Sequence, residues 1–528
     1  MFIDARTLPD RTEIEADLCI IGAGPAGITI ARELAGSAVR VALLEGGGLE
    51  PDDETESLNA GANVGFTYRD LARSRRRCFG GATGHWNGWC RPLDDIDFEV
   101  REGIPHSGWP FPKSHLDPFY ARAQALCQLG PYQYDPRYWQ GRGLGPFFDV
   151  RPGRVVNTVF QMSPPTRFGS VYRADVEQAP NVETLLRANV VDIGTGPEAR
   201  SVTGVRVATL AGNGLTVRAR RYVLATGGIE NARLLLASRT AVPAGLGNQH
   251  DLVGRFFMEH PHVNVAFFLP TDPAIDARFY SEHRFFNPFG VIGALSVPPG
   301  WLRRERMLGF SAFLAPALYR PEAVARAQSE DGYQSLLDLT ESVRRGAWPE
   351  DFIADLWNVV SDLDSVGRAT VWRLFDRGPG YHLAVRAEQA PNPLSRITLG
   401  SERDALGVPR VNLDWRLTDL DFASIRRGWD LLAHEFGLAA LGRVFMPEQT
   451  VESPWQEHIS GGAHHMGTTR MADDPREGVV DALGRVHGID NLYVAGSSVF
   501  PTGGFANPTL TIVALALRLA DHLKATRR

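Results

Sequence analysis

The 528-residue sequence predicts an α/β fold: a Rossmann-like dinucleotide-binding domain and a second, α+β domain built on an antiparallel sheet. Three observations carry this. Residues 16–48 read as a βαβ unit whose turn holds glycines in the G-x-G-x-x-G spacing. Residues 263–445 alternate short apolar runs with helical periodicity. The C-terminal segment repeats the pattern of strand, glycine turn and helix.

The first strand ends in the apolar run Leu18-Cys19-Ile20-Ile21, as a strand covered on both faces requires. Gly22, Ala23 and Gly24 follow, then Gly27. Gly22 permits a tight turn, Gly24 the close approach of a pyrophosphate, and Gly27 the contact of helix with strand. Phosphate oxygens would rest on the amides that open the helix over 28–34, where its partial positive charge lies. A second apolar run, 39–44, ends in Glu45, placed to accept hydrogen bonds from ribose hydroxyls. A carboxylate there disfavours a 2′-phosphate, hence NADP, without separating NAD from FAD.

Composition removes other classes. The net charge of −6 leaves no footprint for nucleic acid. The N-terminus is too polar for a signal peptide and no apolar run is long enough to span a membrane, so a cytoplasmic location is expected. The cysteines, at 19, 78, 90 and 127, show no metal spacing and read as buried thiols. His260 and His262 are spaced H-x-H, and His434-Glu435 is a fragment of H-E-x-x-H broken by Leu438. Neither shows a further ligand, so no metal site is expected. There is no G-x-S-x-G serine-hydrolase signature.

After the βαβ unit, 49–70 reads as an acidic surface excursion. Arg73, Arg75, Arg76 and Arg77 then precede a glycine-dense loop with His85, Trp86 and Trp89; the arginines read as a solvated basic surface, or one or two of them as groups that neutralise a pyrophosphate or position the loop. A helix is expected over 115–126, and 151–180 reads as irregular. Strands are expected at 182–186 and 188–193, then a hairpin with a Gly-Asn-Gly turn, then a strand at 222–225 with a glycine turn and a helix over 231–237. The middle segment holds apolar strand runs, a helical stretch over 321–376 with Trp348, Trp357 and Trp372 as core residues, and strands at 381–389 and 395–399. Near the C-terminus a strand at 491–495, closed by Gly496, leads to a helix from Thr509, with Asn507 as its cap candidate and Pro508 in its first turn.

The GAGPAG turn with Glu45, the GGATGHWNG loop and the C-terminal HHMGTTRM and GSSVFPTGGFANPTLT motifs together resemble the glucose–methanol–choline (GMC) oxidoreductase family, above all its pyranose-oxidase-like and bacterial glycoside- or polyol-oxidising members. The resemblance implies FAD as cofactor. It implies oxidation of a CH–OH group of a sugar, glycoside or polyol by hydride transfer to flavin N5, with oxygen or a quinone or cytochrome as acceptor, and in some relatives a small partner subunit. The family's proton-accepting histidine falls on His464 and its partner on Asn507. The residues alone do not choose between His464 and His465, which face opposite ways on an extended chain. Gly81, His85, Trp86 and Asn87 fall on a flavin-facing loop. His85 is expected to touch flavin noncovalently, with a covalent link as the alternative. The backbone of Val190 falls beside adenine, and Gly496, Pro508 and Thr509 beside the flavin end. The implied FAD-binding domain comprises 1–100, 181–262 and 446–528, with 101–180 connecting and covering the flavin, and 263–445 binding substrate. Some family members are hydroxynitrile lyases that keep FAD structurally, which is the alternative activity.

Overall fold

The computed structural model describes residues 1–151, 153–317, 380–446 and 454–526. Its first sheet has eight strands. Phe2–Asp4, Val182–Leu186, Val41–Leu44, Thr12–Ile21 and Gly214–Leu224 lie side by side and parallel. Gly214–Leu224 pairs through its last residues with Leu492–Val494, again parallel, and through its first residues with antiparallel Val202–Ala208, beyond which lies Asn189–Thr195. All four residues of Val41–Leu44 are buried, the signature of a strand covered on both faces. The helix Pro25–Leu34 packs against Thr509–Ala525, so the two ends of the chain share one layer.

The strand at the glycine motif begins at Thr12, six residues before its apolar run. Ladder pairing of Thr12 with Leu215 extends it, and its polar first half alternates in exposure. For the same reason 222–225 is no separate strand: it is the buried end of Gly214–Leu224.

The second sheet has nine strands, all antiparallel. Its main path runs Gly442–Phe445, Pro261–Pro270, Gly380–Ala387, Phe310–Ala317, Gly290–Ser296, Val156–Met162 and Trp89–Cys90. One face packs on the helix Asp419–Leu438, where Phe268, Leu383 and Val385 meet Trp429 and Phe436. The other carries a smaller cluster of Phe160, Ile292, Ala294 and Phe313. Two expectations are corrected here. Residues 151–180 are not irregular: Val156–Met162 is a strand of this sheet, followed by short helices Phe168–Val171 and Arg173–Glu177. Residues 395–399 belong to a separate three-stranded sheet, where Arg396–Arg403 pairs with Pro409–Asp414, itself parallel to Gly61–Asn63 of the supposed surface excursion. The helix Asp419–Leu438 had a readable start, a capping box from Thr418 to Asp421. The helical stretch over 321–376, with its three tryptophans, lies outside the described residues. None of the described helices is long and apolar enough to cross a membrane.

Candidate functional site

Three parallel strands, Thr12–Ile21, Gly214–Leu224 and Leu492–Val494, end side by side in glycine turns, at the carboxyl edge where open α/β sheets bind ligands. At Gly22 a methyl group would lie 2.6 Å from the carbonyl oxygen of Ala225, and at Gly27 1.9 Å from that of Gly22, so both positions are fixed by close packing. Glu45 is buried and accepts hydrogen bonds from the amides of Ala23 and Gly47, both at 2.9 Å. Burial raises its pKa while those amides lower it. The His85 loop closes on this turn: the Gly80 amide donates to Ala23 at 2.8 Å, and Gly81 packs on Gly24. Asn231, fully buried, ties the other two turns together. Its Oδ1 accepts from the amide of Thr226 at 2.9 Å, and its Nδ2 donates to the carbonyl of Ala495 at 3.1 Å.

The space these turns leave fits an extended dinucleotide. At Gly24, Gly84, Gly227 and Gly496, from four separate segments, a Cβ would meet no atom within 4 Å. The first amides of Pro25–Leu34 carry no side-chain cap. At the Glu45 end a cavity is lined by Gly46, Glu54, Thr55, Arg187 and Asn189, with Val190 next in the strand. Pro508 and Thr509 open the helix Thr509–Ala525 at the other end. Asn507 does not cap it: no side-chain cap bond is made, and Asn507 turns instead toward His464.

Of the arginines before the His85 loop, Arg73 is exposed, whereas Arg75, Arg76 and Arg77 are partly buried and paired rather than solvated. Arg75 and Arg77 reach Glu230 at 2.9 and 2.7 Å, and Arg233 joins them at 2.8 Å. These cations hold the Glu230 carboxyl far below its usual range despite burial. Arg76 donates from Nε to Nδ1 of His85 at 3.3 Å, and burial with neighbouring cations lowers His85 to about 4. Trp86 is anchored by its indole N–H to the carbonyl of Thr166 at 3.0 Å, while Asn87 is exposed.

The second cluster is built where Pro261–Pro270 meets the segment before Gly467. His464 Nδ1 lies 2.9 Å from His260 Nδ1, and its Nε2 lies 3.1 Å from Asn507 Nδ2. His260 Nε2 faces the carbonyl of Gly503 at 3.3 Å. A carbonyl only accepts, so His260 carries its proton on Nε2 and presents Nδ1 as acceptor. His464 then holds its proton on Nδ1 and keeps a lone pair on Nε2. Burial and nearby cations lower His464 well below the usual histidine range, and burial lowers His260 to about 4, so both are neutral. Beneath them Glu259, fully buried, accepts from the amides of His464 at 2.9 Å and Gly462 at 3.0 Å, and from the hydroxyl of Tyr68. Burial pushes Glu259 up to about 7. His465 points the other way, with Nε2 at 2.9 Å from the Tyr68 hydroxyl.

The sequence thus brought His464 and Asn507 into one site but missed Tyr68, Glu259 and His260 as its supports. The readable signal was the MEHPH run, which puts a carboxylate and two imidazoles within four residues of an expected sheet. Among the described residues no group of histidine, cysteine and acidic side chains could hold a metal, and all four cysteines are buried and unbridged.

Residues 17–244 match the family model described as FAD dependent oxidoreductase, and 391–516 that of GMC oxidoreductase. The 6'''-hydroxyparomomycin C oxidase of Streptomyces lividus is 26% identical across 97% of this chain and 92% of its own. The 2-methyl-1,2-propanediol dehydrogenase of Mycolicibacterium austroafricanum is 23% identical across 96% and 95%. A formate oxidase structure, 18% identical, superposes over 98% of this chain and 99% of its own with a TM-score of 0.57. The FAD model covers the Gly22 and Gly227 turns and the His85 loop, the GMC model covers the Gly496 turn with His464 and Asn507, and the chain carries an FAD-dependent oxidoreductase domain and a GMC oxidoreductase domain.

Proposed function

We propose that this enzyme oxidises a primary or secondary CH–OH group of a sugar, glycoside or polyol, with His464 as the general base. The observation that carries the reading is the proton arrangement from Gly503 through His260 to His464, which leaves the Nε2 lone pair of His464 facing Asn507. A neutral imidazole of this kind accepts the hydroxyl proton as the C–H bond breaks. The amide of Asn507 hydrogen-bonds the substrate oxygen without competing for its proton. FAD, when bound, accepts the two electrons and hydrogen at N5. Gly22, Ala23, Gly24 and Gly27 would hold its pyrophosphate and Glu45 its ribose. The backbone of Val190 would face adenine. Gly81, His85, Trp86, Asn87, Gly496, Pro508 and Thr509 would hold the ring end. The oxidation of amino-sugar and diol substrates named for the two full-length relatives supports the substrate class. Reoxidation would use oxygen or a quinone or cytochrome.

An anaerobic screen of sugars, glycosides and polyols tests the reading. A substrate should bleach the flavin band of the wild type and leave that of His464→Ala yellow. Turnover without bleaching would indicate lyase chemistry and overturn it.

A further inference from the structure

One row of side chains beside His464 plays no part in the proton arrangement. Ser296, Ser311, Arg386 and His262 stand in register on four adjacent strands, each paired with the next. Directly paired residues share a face of the sheet. Leu383 and Val385, which alternate with Arg386, point into the core under the helix Asp419–Leu438, so the row lies on the opposite face. That face bears Phe160, Phe313 and Ala384, and Phe505, from the loop leading to Asn507, packs on it. The His262 ring is 5.9 Å from that of His464.

Arg386 is partly buried and has no counter-ion among the described residues. Its guanidinium makes one hydrogen bond, from Nη1 to the carbonyl of Val385 at 3.0 Å. The acid two residues on, Glu388, is taken by Arg101 and by the amide of Gly309. Burial lowers Arg386 to about 10, which leaves it charged at neutral pH. A guanidinium has five donors in a planar fork, and most here are uncommitted. His262 Nε2 is buried without a hydrogen-bond partner and borders the site, since a Cβ on Gly462 would lie 2.8 Å from it. The orphaned imidazole nitrogen is costly unless a ligand supplies the missing hydrogen bond, and the partly exposed guanidinium beside it has free donors to offer an anion.

We propose that Arg386 and His262 form an oxyanion subsite, so that the preferred substrate is an alcohol carrying a carboxylate or phosphate: a hydroxy acid, a sugar acid or a sugar phosphate. The guanidinium holds the anionic end while the hydroxyl reaches His464. This rests on the reading of His464 as the base of an alcohol oxidation and narrows it to a charge class.

The test uses the FAD-loaded enzyme and matched pairs: D-gluconate against D-glucitol, glycerate against glycerol, and glycerol 3-phosphate against glycerol. The expected result is at least about a tenfold higher kcat/KM for bleaching by the charged member, the usual margin of a charge-assisted hydrogen bond. Whether gluconate and glycerate or glycerol 3-phosphate gains more separates carboxylate from phosphate. Arg386→Leu should bring the ratio near one, and Arg386→Lys should keep part of it. Acetate, which cannot be oxidised as an alcohol, should perturb the flavin spectrum of the wild type and not of Arg386→Leu. A ratio at or below one in the wild type, or one unchanged in Arg386→Leu and Arg386→Lys, overturns the subsite. If no alcohol bleaches the flavin while acetate still binds in an Arg386-dependent way, the alcohol-oxidising reading falls and the anion site stands.

Discussion

The Nδ1 atoms of His260 and His464 face each other at 2.9 Å, and because the single ring proton of His260 is given from Nε2 to the carbonyl of Gly503, the contact fixes which nitrogen of His464 is bare. His260→Phe removes the acceptor and frees His464 to place its proton on Nε2. Anaerobic flavin reduction should slow about tenfold to a hundredfold with FAD still bound, a range typical of a misoriented catalytic group. An unchanged rate would mean that His260 does not set the tautomer.

Asn507→Asp puts a carboxylate 3.1 Å from His464 Nε2. An adjacent negative charge favours imidazolium and raises the His464 pKa from its depressed position. The kcat/KM of the variant should be low at neutral pH and recover as pH rises, whereas the wild type should stay flat across pH 6.5 to 8. Parallel pH profiles would contradict the pairing.

Gly462→Ala should act through sterics alone. Its Cβ would come within 2.6 Å of His464 Nδ1 and 2.8 Å of His262 Nε2, with the chain tied down by the bond from the Gly462 amide to Glu259. We expect FAD content unchanged and kcat lowered by about a hundredfold, as for a group displaced by about an ångström. Stopped-flow reduction of the variant checks this.

Stability should fall as pH drops below 6.5. Burial lowers His85 and His260 to about 4 and His465 to about 3, and lowers His262 and His464 as well. Each is neutral when folded and protonates when unfolded, so the unfolded state binds more protons between these values and 6.5. Stability is therefore full above 6.5 and is lost on acidification at about 1.4 kcal/mol per pH unit per histidine. Glu259, raised to about 7, works the other way between 4.5 and 7, because there the folded state holds the extra proton. Glu45, Asp97 and Asp421 are raised in the same sense as Glu259, but His106, His382 and His522 are lowered too, so eight histidines against four acids leave the histidines dominant, and the melting temperature should be lower at pH 5 than at pH 7.

Arg76 occupies Nδ1 of His85, leaving Nε2 as the nitrogen that could meet a flavin. We expect acid precipitation to release FAD into the supernatant, consistent with contact rather than a covalent bond. Flavin retained by the precipitate of the wild type, and lost in His85→Ala, would establish a link instead.

The glycine turn, its flanking strands and the C-terminal helix were legible in the sequence because local rules govern them. Gly27 is required by its backbone approach to Gly22 within one short stretch, and Val41–Leu44 announces its burial by being apolar throughout. Pairing is not local. Val156–Met162 lies between irregular segments and becomes a strand because Gly290–Ser296 and Trp89–Cys90 flank it. Ser395-Arg396 reads like its neighbours but leaves the large sheet to pair with Pro409–Asp414. The polar supports were equally hidden. Glu259 and Tyr68 bond across 191 positions, and Arg77 reaches Glu230 across 153. The sequence by itself therefore determined the dinucleotide turn and the residue types of the base pair, since these follow from backbone conformation and side-chain chemistry. The tertiary structure decided which of His464 and His465 faces Asn507, and that His260 accepts from His464 Nδ1 and so leaves His464 Nε2 bare. It also left Arg386 without a counter-ion among the described residues. These three outcomes depend on distances between strands and loops that no local pattern encodes.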